Sequence, residues 1–216
     1  AWGDTITVYP GIYHENLILN DKQLYLRSLF YVSNDSSYID NTVINGSQSG
    51  PCFNIMNGHN LTIEGFKITN GYSDYIDLES GGINIMASNV QLRFNKITKN
   101  KTKTSGGGIF IKNANLDLIG NSIYENTALN GGGILGNSNV NIYFSNDFKN
   151  SVYMNKAVTG SDFYFGNVSN SINVILDKAT VANPDNYFIY TSINYHQNHL
   201  VTFSCQSAVI TPVQSN

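Results

Sequence analysis

The side chains with the most chemistry to offer lie in two stretches, 71–80 and 99–105. Asp74, Asp77 and Glu79 bring three carboxyl groups into one loop, and calcium is held by several converging oxygens of this kind. Lys99, Lys101 and Lys103 follow at the corresponding corner of the next repeat, with Lys96 just before them. Carboxylates beside lysines make a metal-and-base site for an acidic glycan, or else mutual ion pairs on two solvated loops. Tyr72 and Tyr75 share the first loop with Asp74. Flat tyrosines beside amides suit sugar rings, which stack on one face and hydrogen-bond at the rim. Tyr124, Tyr143 and Tyr153 offer the same on later repeats, or simply cover loops.

Other motifs carry less. Asp117 is a lone carboxylate between Gln91 and Asn141 in the repeat alignment, whereas glycoside hydrolysis by the usual routes needs two carboxyl groups about 5–10 Å apart. His196 and His199 form H-x-x-H with no evident third ligand, so a turn histidine is the expectation. Gly106–Gly108 and Gly131–Gly133 lack the Lys-Ser/Thr of a phosphate loop and the Asp of the calcium-binding nonapeptide. They read as tight corners.

Those glycine triplets also mark a repeat. From Gly106 to Gly133 the chain reads as one unit, and the preceding segment from Gly81 aligns under it, Ile85, Val90, Leu92 and Ile97 falling beneath Ile111, Leu116, Leu118 and Ile123. A period of roughly 25 residues is the signature of a solenoid. Each repeat holds three short strands: Phe53–Met56, Ile83–Met86 and Ile109–Lys112 first; Leu61–Ile63, Val90–Leu92, Leu116–Leu118 and Val140–Ile142 second. The third is anchored by Val43, Ile68, Ile97, Ile123 and Phe148. Period-two alternation puts one side chain inward and the next outward. No helix-length segment separates the strands, which excludes a βαβ sheet. Repetition once per coil, and not once per hairpin, favours parallel stacking over a sandwich.

Stacking turns equal positions into columns. Asn41, Asn95, Asn121 and Asn146 lie two residues before third-strand anchors, interrupted at Phe66. This predicts an inward ladder whose amides satisfy buried turn backbone. Outward on the middle strand run Arg27, Glu64 and Arg93, beside a polar column of Tyr25, Thr62, Gln91, Asp117 and Asn141. The expected fold is therefore all-β, a single-stranded parallel β-helix of about seven coils. It forms one domain over 1–216, with coils over 3–176 and an irregular closing segment over 177–216. No comparable cap opens the chain, which reads as part of a longer one, and the start at Ala1 reads as a mature or trimmed end.

Composition agrees. Only 12% of the 216 residues are charged and the net charge is −3, which argues against nucleic acid, a ligand that needs concentrated positive charge. Asn supplies roughly one residue in seven, above ordinary usage, and tolerates the left-handed turns a solenoid needs. No apolar run reaches membrane-spanning length and no signal peptide is read. Cys52 and Cys205 lie about five coils apart, roughly 24 Å along a stack of 4.8 Å steps, so two buried free thiols are expected.

The segments GDTITVYPGIYHENL, TVINGSQSGP and NLTIEGFKITNG, followed by repeated GGGI with N-x-I-x-x-N, resemble secreted right-handed parallel β-helix proteins of pectate-lyase-like fold over about residues 3–178. The closer likeness is to bacterial surface proteins with such repeats. The architecture carries lyases, hydrolases, adhesins and passive stalks alike. For a polysaccharide lyase the resemblance implies Asp or Glu ligands for Ca²⁺ beside a basic residue that abstracts the proton α to a uronate carboxyl, with a catalytic Arg or Lys on a strand facing a groove. Only Arg27 and Arg93 could be that Arg, and Glu64 matches both in register. The leading expectation is a non-catalytic, secreted or cell-surface scaffold of bacterial type for adhesion or contact with a surface polysaccharide, without a cofactor. The alternative is a lyase or related carbohydrate-active enzyme working through the 71–80 and 99–105 loops, the one case in which Ca²⁺ is expected. A passive spacer is the third.

Overall fold

The structure is a computed structural model describing residues 3–74, 79–166, 172–180, 187–190 and 201–209. It is an all-β parallel solenoid of about six turns, one fewer than the repeat spacing gave. Each regular coil visits three sheets in order. One coil is Ile83–Met86, Asn89–Arg93 and Lys96–Thr98; the next is Ile109–Lys112, Asn115–Ile119 and Ser122–Tyr124. Every pairing between coils is parallel, Ile83 over Ile109, Val90 over Leu116 and Ile97 over Ile123. Strands this short are stable because each apolar column runs unbroken through the stack. On the second sheet the column is Ile6, Leu26, Ile63, Leu92, Leu118 and Phe144. On the third it is Ile44, Ile68, Ile97, Ile123, Val152 and Ala179. Apart from Ile6, which is 49% exposed, these side chains form one continuous core, whose burial is the main stabilising term.

Two anchors move. Ile44, not Val43, stacks on Ile68, and Val152, not Phe148, stacks on Ile123. Phe148 is 53% exposed, where it meets the ring of Phe94 edge-on. Two short helical turns, Phe30–Ser33 and Ser37–Asn41, lie between the strands Leu24–Ser28 and Thr42–Asn45. Within the stretch read as an irregular closing segment, Tyr187–Tyr190 and Val201–Val209 are strands that pair in parallel with Phe163–Gly166 and Ile172–Thr180.

The anchor shift carries the ladder with it. Asn41 and Asn146 are exposed and stand outside it. The buried ladder runs through Asn95, Asn121 and Asn150: the backbone N–H of each donates to the Oδ1 of the next, at 3.0 and 2.8 Å, and each Nδ2 also donates to a carbonyl, Ile63, Leu92 and Leu118 in turn. Phe66, which lacks the amide, still donates its N–H to Asn95 Oδ1. A second ladder repeats the pattern five residues later through Asn100, Asn126 and Asn155, closing on Asp162 Oδ1. The motif N-x-I-x-x-N is thus two parallel ladders flanking each third strand.

Cys52 is buried and free, its Sγ 3.3 Å from the Thr69 carbonyl. Cys205 lies outside the residues whose side chains are described. Burial pushes the Cys52 thiol from 9.0 up to about 12. The folded state therefore holds the proton more tightly than the unfolded chain, so this contribution is complete below pH 9 and is lost as pH rises toward 12. At pH 8 a thiol-specific reagent should label Cys52 only at the rate of unfolding; labelling as fast as a free peptide thiol would contradict the burial.

Candidate functional site

The three outer faces of the solenoid differ. On the first sheet the outward positions Asn54, Asn84, Phe110 and Leu135 are themselves buried. Gly106 and Gly131, at φ +71° and +61°, lay the connecting loops directly on Phe110 and Leu135: a Cβ on either glycine would come within 2.8 Å of the Cβ below. The third sheet presents Lys67 over Lys96 and Tyr124 over Tyr153. Those tyrosine rings stack parallel at 5.2 Å, with the Lys178 ammonium over Tyr153. Their inner faces are taken by each other.

Among the described residues, the second sheet keeps a polar face open along a groove. Of its six strands, Asp4–Val8, Leu24–Ser28, Leu61–Glu64, Asn89–Arg93, Asn115–Ile119 and Asn141–Phe144, the first five floor a groove of about 510 Å³ and the last two floor another of about 450 Å³, the two meeting at Asn115 and Asp117. The column facing the groove is Thr5, Tyr25, Thr62, Gln91, Asp117 and Tyr143. Here the sequence alignment was two residues out, since Tyr143 and not Asn141 follows Asp117. Tyr143 is 54% exposed. Asn141 instead joins a rim of amides, donating to Asn115, which donates to Asn89, each at 2.6 Å.

A hydrogen-bonded chain crosses this floor. Gln91 Nε2 donates to Asp117 Oδ2 and Arg93 Nη1 to Gln91 Oε1, both at 3.5 Å; Arg93 Nε lies 3.5 Å from Glu64 Oε2, which also accepts the Tyr25 hydroxyl. Glu64 is only 4% exposed, and a carboxylate so placed must be paired; Arg93 and Tyr25 supply the partners. Burial first, then the Glu64 carboxylate, raises the pKa of Tyr25, so its phenol stays a donor across the physiological range. Arg27, beside Glu64 in register, does not bond it. Its guanidinium rests 4.1 Å above Tyr31 and Nε donates to Thr7.

The residues singled out from sequence lie elsewhere. Tyr72 pairs with Lys101 and Ser73 with Thr102 in a two-stranded side sheet. Lys103 Nζ is 3.9 Å from Asp74 Oδ2, both side chains well exposed, a pair of the kind that contributes about 0–1 kcal/mol. Lys99 is exposed at a left-handed corner, φ +57°. The Glu79 carbonyl accepts the Thr104 hydroxyl at 3.1 Å, and Lys96 reaches both oxygens of Asp40 at 2.8 Å. Tyr75, Asp77, His196 and His199 fall outside the described residues. Among the described residues no three His, Cys, Asp or Glu side chains gather as a metal site, and no helix is long and apolar enough to cross a membrane. Comparison with protein-family models, with curated proteins and with solved structures gives no match for this chain.

Proposed function

We propose that this chain is a non-catalytic glycan-contacting solenoid, secreted or displayed on a bacterial surface, and that its contact face is the groove of the second sheet. The likeness to β-helix proteins of pectate-lyase-like type belongs to the same reading. The observation that carries it is chemical. The groove gathers planar amide, carboxylate and guanidinium groups in a fixed array, with aromatic rings at Tyr25 and Tyr143. Planar bidentate groups match adjacent sugar hydroxyls, and ring faces match their apolar sides. Because the array stands on strands locked by the core, little ordering entropy is lost on binding.

An immobilised glycan array probed with the wild type and with Gln91→Ala tests this. Binding to some glycans, weakened in the variant, is expected; an empty array, or binding indifferent to Gln91, overturns it. The lyase alternative rests on the Asp74 and Lys103 loops, whose one described ion pair is solvated. Incubation with uronate polymers should release no unsaturated products. Release that disappears in Lys103→Ala would overturn the non-catalytic reading.

A further inference from the structure

We propose that the groove takes an uncharged glycan laid along the solenoid axis, one sugar residue per coil, with Gln91, Arg93 and Asp117 as its central hydrogen-bonding subsite and Tyr143 as its stacking platform. This rests on the groove being a glycan surface and adds the charge, direction and length of the ligand.

The charge follows from how the ions are already used. Arg93 and Asp117 line the groove, Arg27 and Glu64 stand beside it on the same face of the sheet, and both arginines are engaged. Arg93 faces Glu64 through Nε and Gln91 through Nη1, while Arg27 is flattened on Tyr31 and tied to Thr7. No excess of positive charge is left to select a uronate or sulfated sugar. An acidic sugar at the centre would meet Asp117, whose carboxylate has a long 3.5 Å contact with Gln91 and so retains lone pairs for hydroxyl donors.

The direction follows from periodicity. Equivalent positions recur every 4.8 Å or so up the stack, a spacing close to the advance per residue of an extended glycan. Each coil then offers one groove position, Thr62, Gln91, Asp117 and Tyr143 in turn. One rim amide accompanies each of the last three, Asn89, Asn115 and Asn141. A chain laid along one strand would meet one of these groups; one laid along the axis, across the strands, meets them all. Six strands give about 24 Å of floor, enough for about five residues.

Titration of the isotopically labelled chain, followed by NMR, provides the test. The probes are unbranched uncharged β-1,4-linked gluco- and manno-oligosaccharides from disaccharide to octasaccharide, and oligogalacturonates of the same lengths. The uncharged series should shift the amides of Asn89–Arg93 and Asn115–Ile119, with affinity rising to about five residues and then levelling. Asp117→Ala should weaken binding about tenfold or more, as loss of a charged hydrogen-bond acceptor does. Tyr143→Ala, at an exposed position, should weaken it with an unchanged melting temperature. Tighter groove binding by the oligogalacturonates would overturn the inference and leave the glycan reading standing, as would affinity that stops rising at the disaccharide. If neither series touches these amides, both fall.

Discussion

Asn121→Ala should destabilise the solenoid by about 3–5 kcal/mol, more than most single substitutions in it. The Asn121 side chain accepts the Asn95 N–H at 3.0 Å and the Asn95 Nδ2 at 3.2 Å, and its own Nδ2 donates to the Leu92 carbonyl at 2.7 Å and to Asn150 Oδ1 at 3.0 Å. All of these groups are buried in the same turn. Alanine removes all four bonds and strands the Asn95 backbone N–H where water cannot reach, which alone costs about 1–3 kcal/mol. It also cuts the ladder in the middle, so the polarisation passed between coils is lost in both directions. For a chain of this size the melting temperature, followed by far-ultraviolet circular dichroism, should fall by roughly 10 °C. The companion variant is Asn146→Ala. That side chain is exposed and outside the ladder, so its change should stay within about 0.5 kcal/mol. Equal losses in the two variants would show that the coil from Ile134 is wrongly registered.

Gly132→Ala is expected to cost about 3 kcal/mol, the upper part of the usual range for overpacking. The reason is contact between backbones rather than an unusual dihedral angle. A Cβ on Gly132 would lie 2.5 Å from both the Lys156 and the Ser161 carbonyl oxygens of the following coil. Gly107 stands in the same relation to Gly132, and Gly108 to Gly133, at 2.5 and 2.7 Å. A flexible side chain could swing away, but these oxygens belong to the stacked main chain, held by bonds such as Gly133 N to Ser161 O at 2.9 Å. Relief would have to separate coils, which breaks ladder bonds and core contacts together. Urea unfolding of Gly132→Ala against wild type measures it. A loss below about 0.5 kcal/mol, the usual size of a surface substitution, would mean the coils can part freely there. The glycine triplets let coils approach.

Much of this was written in the residues. The triplets and N-x-I-x-x-N specify parallel coils because every coil must present the same groups to its neighbour, and equal groups at equal spacing are legible in one dimension. The Arg27, Glu64 and Arg93 register, and Tyr25, Thr62, Gln91 and Asp117 beside it, were legible for the same reason. Two features of the coil from Ile134 account for its errors. Val140, Ile142 and Phe144 alternate inward, and alternation looks identical after a shift of two residues, so the sequence could not place Tyr143 rather than Asn141 above Asp117. The turn after Phe144 is longer than its counterparts, which moved the anchor from Phe148 to Val152 and the ladder from Asn146 to Asn150. The complete motif Asn150-x-Val152-x-x-Asn155 was the signal that would have corrected both.

Sequence by itself thus determined the coil, the Asn95 and Asn121 rungs of one ladder and the polar character of the middle-strand column. Only the tertiary structure decided which face is open. The loops with the richest side chains, 71–80 and 99–105, hold one solvated ion pair in their described part, while the first sheet is roofed by its own glycine turns. The groove stays open over the coils whose corners after Arg93 and Ile119 turn tightly, at Phe94 and Gly120. Whether a column of polar side chains becomes a surface depends on how far the neighbouring loops reach, a distance that no spacing within the column records.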